Sequence, residues 1–282
     1  MIREAISALI ARRAFLRNIG RAATAAGAAA AAGAAGLMQK AAAKSEPASG
    51  RVSGPIADYD WTKHRWAFGV DATKCIGCLR CVEACKEEND VPRDAHHFRT
   101  WVERYVYLEG EERARVDSQQ DPVNIAASGS QKEYRFANRY QDAKVEKAFF
   151  VPKLCNQCSH PPCVQVCPVG ATYRTEDGVV LIDHDYCIGC RYCVQACPYG
   201  VRFFNEEKGV SDKCTWCYHR ITKGLQPACV EVCPVGARIF GDQNDKQSPI
   251  SLFIRNNRAD VLKPETGNAP NVFYVGIDRA VV

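Results

Sequence analysis

Sixteen cysteines constrain this chain more than any other feature, because all of them fall between Cys75 and Cys233 in four groups of four. Cys75, Cys78, Cys81 and Cys85 are spaced CxxCxxCxxxC, and Cys187, Cys190, Cys193 and Cys197 repeat that spacing and add Pro198. Cys155, Cys158, Cys163 and Cys167 widen one gap to four residues and end in Pro168. Cys214, Cys217, Cys229 and Cys233 place eleven residues between the second and third thiols and end in Pro234. Disulfides account poorly for thiols set two or three residues apart four times over. Structural zinc wants two CxxC pairs across a longer loop. Only the fourth quartet approaches that, and for it alone zinc stays open. No His or basic constellation singles out one cysteine as an activated nucleophile.

The quartets are also repeats of one another. "FGVDATKCIGCLRCVEAC" at 68–85 matches "VLIDHDYCIGCRYCVQAC" at 180–197, and "CVQVCPVGA" at 163–171 matches "CVEVCPVGA" at 229–237. Such self-similarity indicates duplicated units. CxxCxxCxxxCP is the ligand run of a bacterial ferredoxin, in which three thiolates grip one 4Fe-4S cluster and the fourth reaches a second. A Pro after that fourth cysteine stops its helical turn, having no N–H to donate. Gly77 and Gly189 let the loop backbone approach the inorganic core.

Charge points away from nucleic acid. Residues 1–43 hold six of the 37 basic side chains and one of the 32 acidic ones, and the remainder balances at 31 of each. No basic stripe interleaved with aromatics is present. The "ARRAFLRNIG" of residues 11–20, followed by an Ala/Gly-rich run, resembles a twin-arginine export signal, with Ala41–Ala43 as the cleavage site. That resemblance implies periplasmic delivery of a folded, cofactor-loaded protein. Beyond residue 43 no stretch approaches 18 uninterrupted apolar residues, so a mature chain without a membrane-spanning helix, peripheral to the membrane, is expected. "RWAFGVDATKC" and "TWVERYVYLEG" read as strands, the polar stretch 110–142 as a surface excursion, and the last 40 residues as a helix or loop followed by a tail strand.

Taken in order, the four quartets resemble those of the iron-sulfur electron-transfer subunits of dimethyl-sulfoxide-reductase, polysulfide-reductase and formate-dependent nitrite reductase type complexes. "ACKEENDVP" and "LKPETGNAPNVFYVGID" fit the same family, and the likeness covers about residues 66–278. It implies an α+β fold of two intertwined ferredoxin-like modules with loop insertions and an extended C-terminal tail. Module A would take 66–109 and 208–247, and module B 150–207. A linker at 44–65, a polar insertion at 110–149 and a tail at 248–282 complete the division, after a signal at 1–43. Four 4Fe-4S clusters are implied: Cys75, Cys78, Cys81 with Cys233; Cys214, Cys217, Cys229 with Cys85; Cys155, Cys158, Cys163 with Cys197; and Cys187, Cys190, Cys193 with Cys167.

The function so implied is non-catalytic: relaying electrons between a quinone-linked integral-membrane subunit and a molybdopterin catalytic subunit in anaerobic respiration. The alternatives are a sulfur-metabolism membrane complex with multihaem cytochrome subunits and no molybdopterin partner, a self-standing periplasmic ferredoxin, and a structural metal scaffold. Arg80, Arg191 and Lys213 adjoin cysteines and are placed to raise cluster potentials, although solvated surface charge is the plainer reading of them. His160, Trp216 and His219 beside the cysteines are accounted for equally well by packing.

Overall fold

The computed structural model describes residues 58–94, 96–127, 135–278 and 280–281. The export signal expected at 1–43, and most of the linker after it, lie outside the described residues. Along the chain, β1 (Trp66–Asp71) leads into the first quartet, α1 (Arg80–Glu88) carries its last two cysteines, and β2 (Thr100–Leu108) follows. Next come β3 (Arg115–Ser118), α2 (Pro122–Ala127) and β4 (Val145–Leu154), then the second quartet with α3 (Pro162–Gln165). The pair β5 (Thr172–Arg174) and β6 (Val180–Ile182) leads to the third quartet with α4 (Tyr192–Gln195). After the hairpin β7 (Arg202–Asn205) and β8 (Val210–Lys213), the fourth quartet contains α5 (Tyr218–Ile221) and α6 (Ala228–Glu231). The chain closes with β9 (Arg238–Asp242), α7 (Pro249–Asn256) and β10 (Val272–Val275). The mixture is α+β, with short helices set at the cysteine groups.

Strand β1 is the centre of a three-stranded sheet, antiparallel to β9 with Val70 opposite Arg238, and parallel to β10 with Phe68 opposite Val272. Its residues are almost all buried because both faces are covered. Helix α7 lies on one face, where a Cβ on Gly69 would stand 2.8 Å from the Phe253 ring. Glycine there is what permits the helix to close on the strand. Phe68 and Phe240 meet Trp216 on the other face. The strand that begins the first quartet is thus held against the strand that leaves the fourth. Helix α1 packs on α6 in the same way, while α3 packs on α4.

A second sheet, β3-β2-β4, confirms the strand expected at "TWVERYVYL", and the described part of 110–142 lies largely at the surface but sends three polar side chains inward. Asp117, Gln119 and Asn124 in that stretch are buried. Asp117 takes a bidentate Arg104 at 2.7 and 3.0 Å, Gln119 Oε1 accepts from Val102 N at 2.8 Å, and Asn124 Oδ1 accepts from Ala137 N at 2.7 Å. Buried polar side chains are held by hydrogen bonds, and here Asp117 and Gln119 tie the segment to β2 while Asn124 bonds within it. No helix among the described residues is long and apolar enough to cross a membrane.

Candidate metal centres

Each quartet is set by left-handed backbone that the sequence supplies locally. Gly77 and Gly189 occupy the same position in the repeated CIGC loops, with φ of +66° and +70°. A Cβ at Gly77 would stand 2.6 Å from the Phe150 ring, and one at Gly189 would stand 2.6 Å from the Gly209 carbonyl oxygen. Two residues on, Leu79 and Arg191 are also left-handed and serve as the N-caps of α1 and α4, turning Cys81 and Cys193 into the first turn of each helix. In the other two quartets the left-handed non-glycine residues are Gln157, and Trp216 with Cys217. Pro162 starts α3, which carries Cys163; α6 carries Cys229. The eleven-residue gap of the fourth quartet contains α5, anchored where His219 Nε2 meets Glu88 Oε1 at 2.7 Å and Arg220 Nη1 donates to Glu88 Oε2 at 3.0 Å.

The structure brings together thiols far apart in sequence. Cys75, Cys78, Cys81 and Cys233 line one cavity of about 330 Å³, counted out to solvent, with Arg238 in its wall. Cys155, Cys158, Cys163 and Cys197 line a second of about 330 Å³, with Arg202 and Tyr199 in its wall. Burial and the facing sulfurs of Cys217, Cys214 and Cys229 push the Cys85 thiol well above the ordinary range. The Asn89 amide nitrogen lies 3.7 Å from Cys85 Sγ and 3.5 Å from Cys217 Sγ. The third quartet meets the second through Cys193. Cys193 is buried beside Cys163 and Val180, Cys167 and Cys187 are half-buried, and Cys190 is exposed.

All sixteen cysteines are free thiols. Burial pushes several of them up, Cys75 to about 11 and both Cys158 and Cys214 to about 12. Cys167 goes the other way: burial raises it, but the backbone N–H groups of Thr172, Val169 and Ala171 together outweigh burial. Backbone N–H groups reach sulfur at several of the cysteines, Cys233 accepting from Ala237 at 3.3 Å, Cys214 from Trp216 at 3.4 Å and Cys167 from Thr172 at 3.5 Å. Ligation would take thiolate, so loading a metal here releases protons.

These residues fit iron-sulfur clusters. Among the described residues no group of three or more His, Cys, Asp or Glu closes on a point small enough for one metal ion; the two clearest thiol sets surround a cavity instead. Beside them are buried cations that lack carboxylate partners. Arg238 is 3% exposed, and its Nε and Nη1 have no hydrogen-bond partner; Arg202 is 5% exposed, with Nη2 in the same condition. Lys213 is fully buried, its ammonium held by the carbonyls of Val180 and Cys214. Buried unpaired charge is strongly unfavourable, and an anionic cluster held between the thiols would supply the missing counter-charge. Of the three cations singled out from sequence, Arg80 is exposed yet lines the first cavity, Arg191 is exposed over the Phe204 ring, and Lys213 is buried, so the surface reading holds for Arg191 and fails for Lys213. Arg202 and Arg238 escaped sequence reasoning, although the repeated "CPYGVR" and "CPVGAR" would have found them.

Comparison with known proteins adds an independent line. Models of a 4Fe-4S dicluster domain match residues 74–171 and 146–243. A tetrathionate reductase subunit of Salmonella typhimurium is 39% identical over 223 residues, covering 78% of this chain and 76% of the relative. A selenate reductase subunit of Mesobacillus selenatarsenatis is 32% identical, covering 75% and 72%. An Hdr-like menaquinol oxidoreductase iron-sulfur subunit of Archaeoglobus fulgidus is 33% identical, covering 75% and 83%.

Proposed function

Since the chain belongs to the iron-sulfur electron-transfer subunits of dimethyl-sulfoxide-reductase type complexes, we propose that it relays electrons through four 4Fe-4S clusters between a quinone-linked membrane subunit and a molybdopterin catalytic subunit. The observation that carries this reading is the convergence of distant thiols, Cys233 with Cys75, Cys78 and Cys81, and Cys197 with Cys155, Cys158 and Cys163, around two similar cavities. Cys85 among Cys214, Cys217 and Cys229 supports a third set, and the repeat of the CIGC loop supports Cys187, Cys190 and Cys193 with Cys167 as a fourth. The packing of α1 on α6 and of α3 on α4 favours two interleaved modules, first with fourth quartet and second with third. Zinc in the fourth quartet is disfavoured, because Cys233 lies with the first quartet.

When bound, such clusters supply one-electron transfer at potentials set by their surroundings. The chain's own residues do the rest. Buried thiols and backbone N–H groups position the sulfurs, the sheet of β10, β1 and β9 fixes the distance between the first and fourth quartets, and apolar packing limits water. We further propose delivery to the periplasm through the twin-arginine signal, with membrane attachment through partners.

The test is purification of the assembled complex under anaerobic conditions. About sixteen irons per chain and cubane EPR signals on reduction are expected, with a molybdopterin subunit and an integral-membrane subunit co-purifying. Zinc without iron would sink the cluster reading. Haem subunits in place of molybdopterin would replace the proposed partner.

A further inference from the structure

The buried arginines are one device built twice. Arg238 stands five residues after Cys233 and Arg202 five residues after Cys197, each opening a strand immediately beyond a Cys-Pro-x-Gly turn. Each guanidinium reaches the hydroxyl of a threonine: Arg238 Nη2 donates to Thr100 Oγ1 at 2.8 Å, and Arg202 Nη1 to Thr172 Oγ1 at 3.4 Å. Each lines the cavity of its own quartet pair. Neither is paired with a carboxylate among the described residues, and each keeps buried N–H groups unpartnered.

The charges that face these groups are sulfurs from both thiol sets of one module. Around Arg238 they are Cys81 and Cys75 of the first quartet and Cys229 of the fourth. Around Arg202 they are Cys163 and Cys155 of the second and Cys193 of the third. Lys213 is also directly across the hairpin from Arg202, and like charges in facing positions are destabilising. The nearest acid along β8, Asp212, is taken by Arg99 at 2.9 Å. A fold that buries cations this way without carboxylates is built for an anion of another kind.

We propose that Arg238 and Arg202 set the reduction potentials of this chain, each raising those of the two clusters of its own module and leaving the other module's pair unchanged. The inference rests on the four-cluster reading above. A guanidinium stays charged at every accessible pH, and a fixed positive charge favours the reduced cluster, which carries one more negative charge than the oxidised one. Cluster potentials respond to net charge and to hydrogen bonds at sulfur, so both the charge and the free N–H groups act in the same direction. They act through the clusters and take no electron themselves.

The experiment is a potentiometric EPR titration of the full-length, cluster-loaded protein, comparing wild type with Arg238→Gln, Arg238→Lys, Arg202→Gln and Arg202→Lys, iron being counted on the same samples. Arg238→Gln should make two of the four clusters at least tenfold harder to reduce, about 59 mV for a one-electron couple. Arg202→Gln should move the complementary two, and each Lys variant should restore its pair to within a factor of about three. Unchanged midpoints in a loaded Gln variant overturn the proposal, as does an equal shift of all four. Should a Gln variant lose iron, the Lys variant decides. Full loading with wild-type midpoints supports the charge, whereas loss in both shows that the guanidinium acts by shape and overturns it. A wild-type chain far short of sixteen irons fails the four-cluster reading itself, before any variant is compared.

Discussion

Asn89 ties together two thiols from opposite ends of the cysteine-bearing region, Cys85 and Cys217. It ends α1, donates to the Cys85 carbonyl at 3.0 Å, and places the same amide nitrogen between the sulfurs of Cys85 and Cys217. Its oxygen accepts from Arg99 Nη1 at 3.1 Å, and Arg99 is fixed by Asp212. Groups that orient ligands without binding metal are worth about 10–100-fold in affinity. Asn89→Ala should therefore speed iron loss to a chelator by about that factor, and release at the wild-type rate would show that the amide merely packs. A second residue gives a pH dependence. His97 Nδ1 meets Asp94 Oδ2 at 2.5 Å and Nε2 meets Glu206 Oε2 at 2.8 Å, clamping the exit from α1 to the β7–β8 hairpin. Burial opposes its protonation, but the two carboxylates outweigh burial and raise the His97 pKa. A raised folded value means the clamp stabilises fully below the ordinary histidine value of about 6.5 and fades as pH climbs through the folded value. Urea unfolding across pH should show wild type losing its advantage over His97→Gln on the alkaline side; a constant difference would mean the protonated form is not what the clamp uses.

Elements differ in how much of them could be read beforehand. Strand β1 and the cysteine turns were legible because hydrophobic runs, Gly77 and Gly189 act locally. The β3 segment was not, since Asp117, Gln119 and Asn124 look like surface residues until Arg104, Val102 N and Ala137 N are found as their partners. Burial of polar groups is decided by tertiary partners that one stretch of sequence does not display. The same holds for Arg202 and Arg238, whose role depends on thiols from a distant quartet. The two loop glycines make a paired test. Both alanine variants incur the left-handed backbone penalty of about 1–2 kcal/mol, but Gly77→Ala clashes with a side chain and Gly189→Ala with the backbone at Gly209. Phe150→Leu should recover part of the thermal stability lost in Gly77→Ala. No recovery would show that backbone conformation alone sets the cost. The tail was read as a strand, yet its place in the central sheet was not foreseen. Val272 and Tyr274 on β10 are fully buried, and each is worth about 1.5–3 kcal/mol by burial. Losing about 3–6 kcal/mol from a total of about 5–15 kcal/mol, a chain ending at Gly267 should be poorly soluble and poorly loaded with iron. A soluble, iron-loaded truncated chain would instead favour the diffusible ferredoxin, for which the tail is dispensable.

At the scale of the molecule, sequence order and spatial order disagree. The dicluster matches run along the chain, one covering the first two quartets and the other the last three, and they overlap at 146–171. In space, β1 from the start of the first quartet pairs with β9 from the end of the fourth, and Cys75 shares a cavity with Cys233. Cooperative unfolding follows contacts rather than chain order. The first and fourth quartets should therefore open together although the second and third lie between them in sequence, while the β5–β6 pair beside the second quartet responds separately. Hydrogen exchange on cluster-loaded protein can distinguish the two orders. Cys233→Ser should lower protection in both Trp66–Asp71 and Arg238–Asp242 and leave Thr172–Arg174 near its wild-type value. If the units followed the linear matches, the same substitution would loosen Thr172–Arg174 together with β9 and spare Trp66–Asp71. The outcome bears on assembly, because an interleaved first module cannot be completed until the fourth quartet has been synthesised. Export of the finished, cluster-loaded protein suits that order, in keeping with the twin-arginine route proposed for residues 1–43.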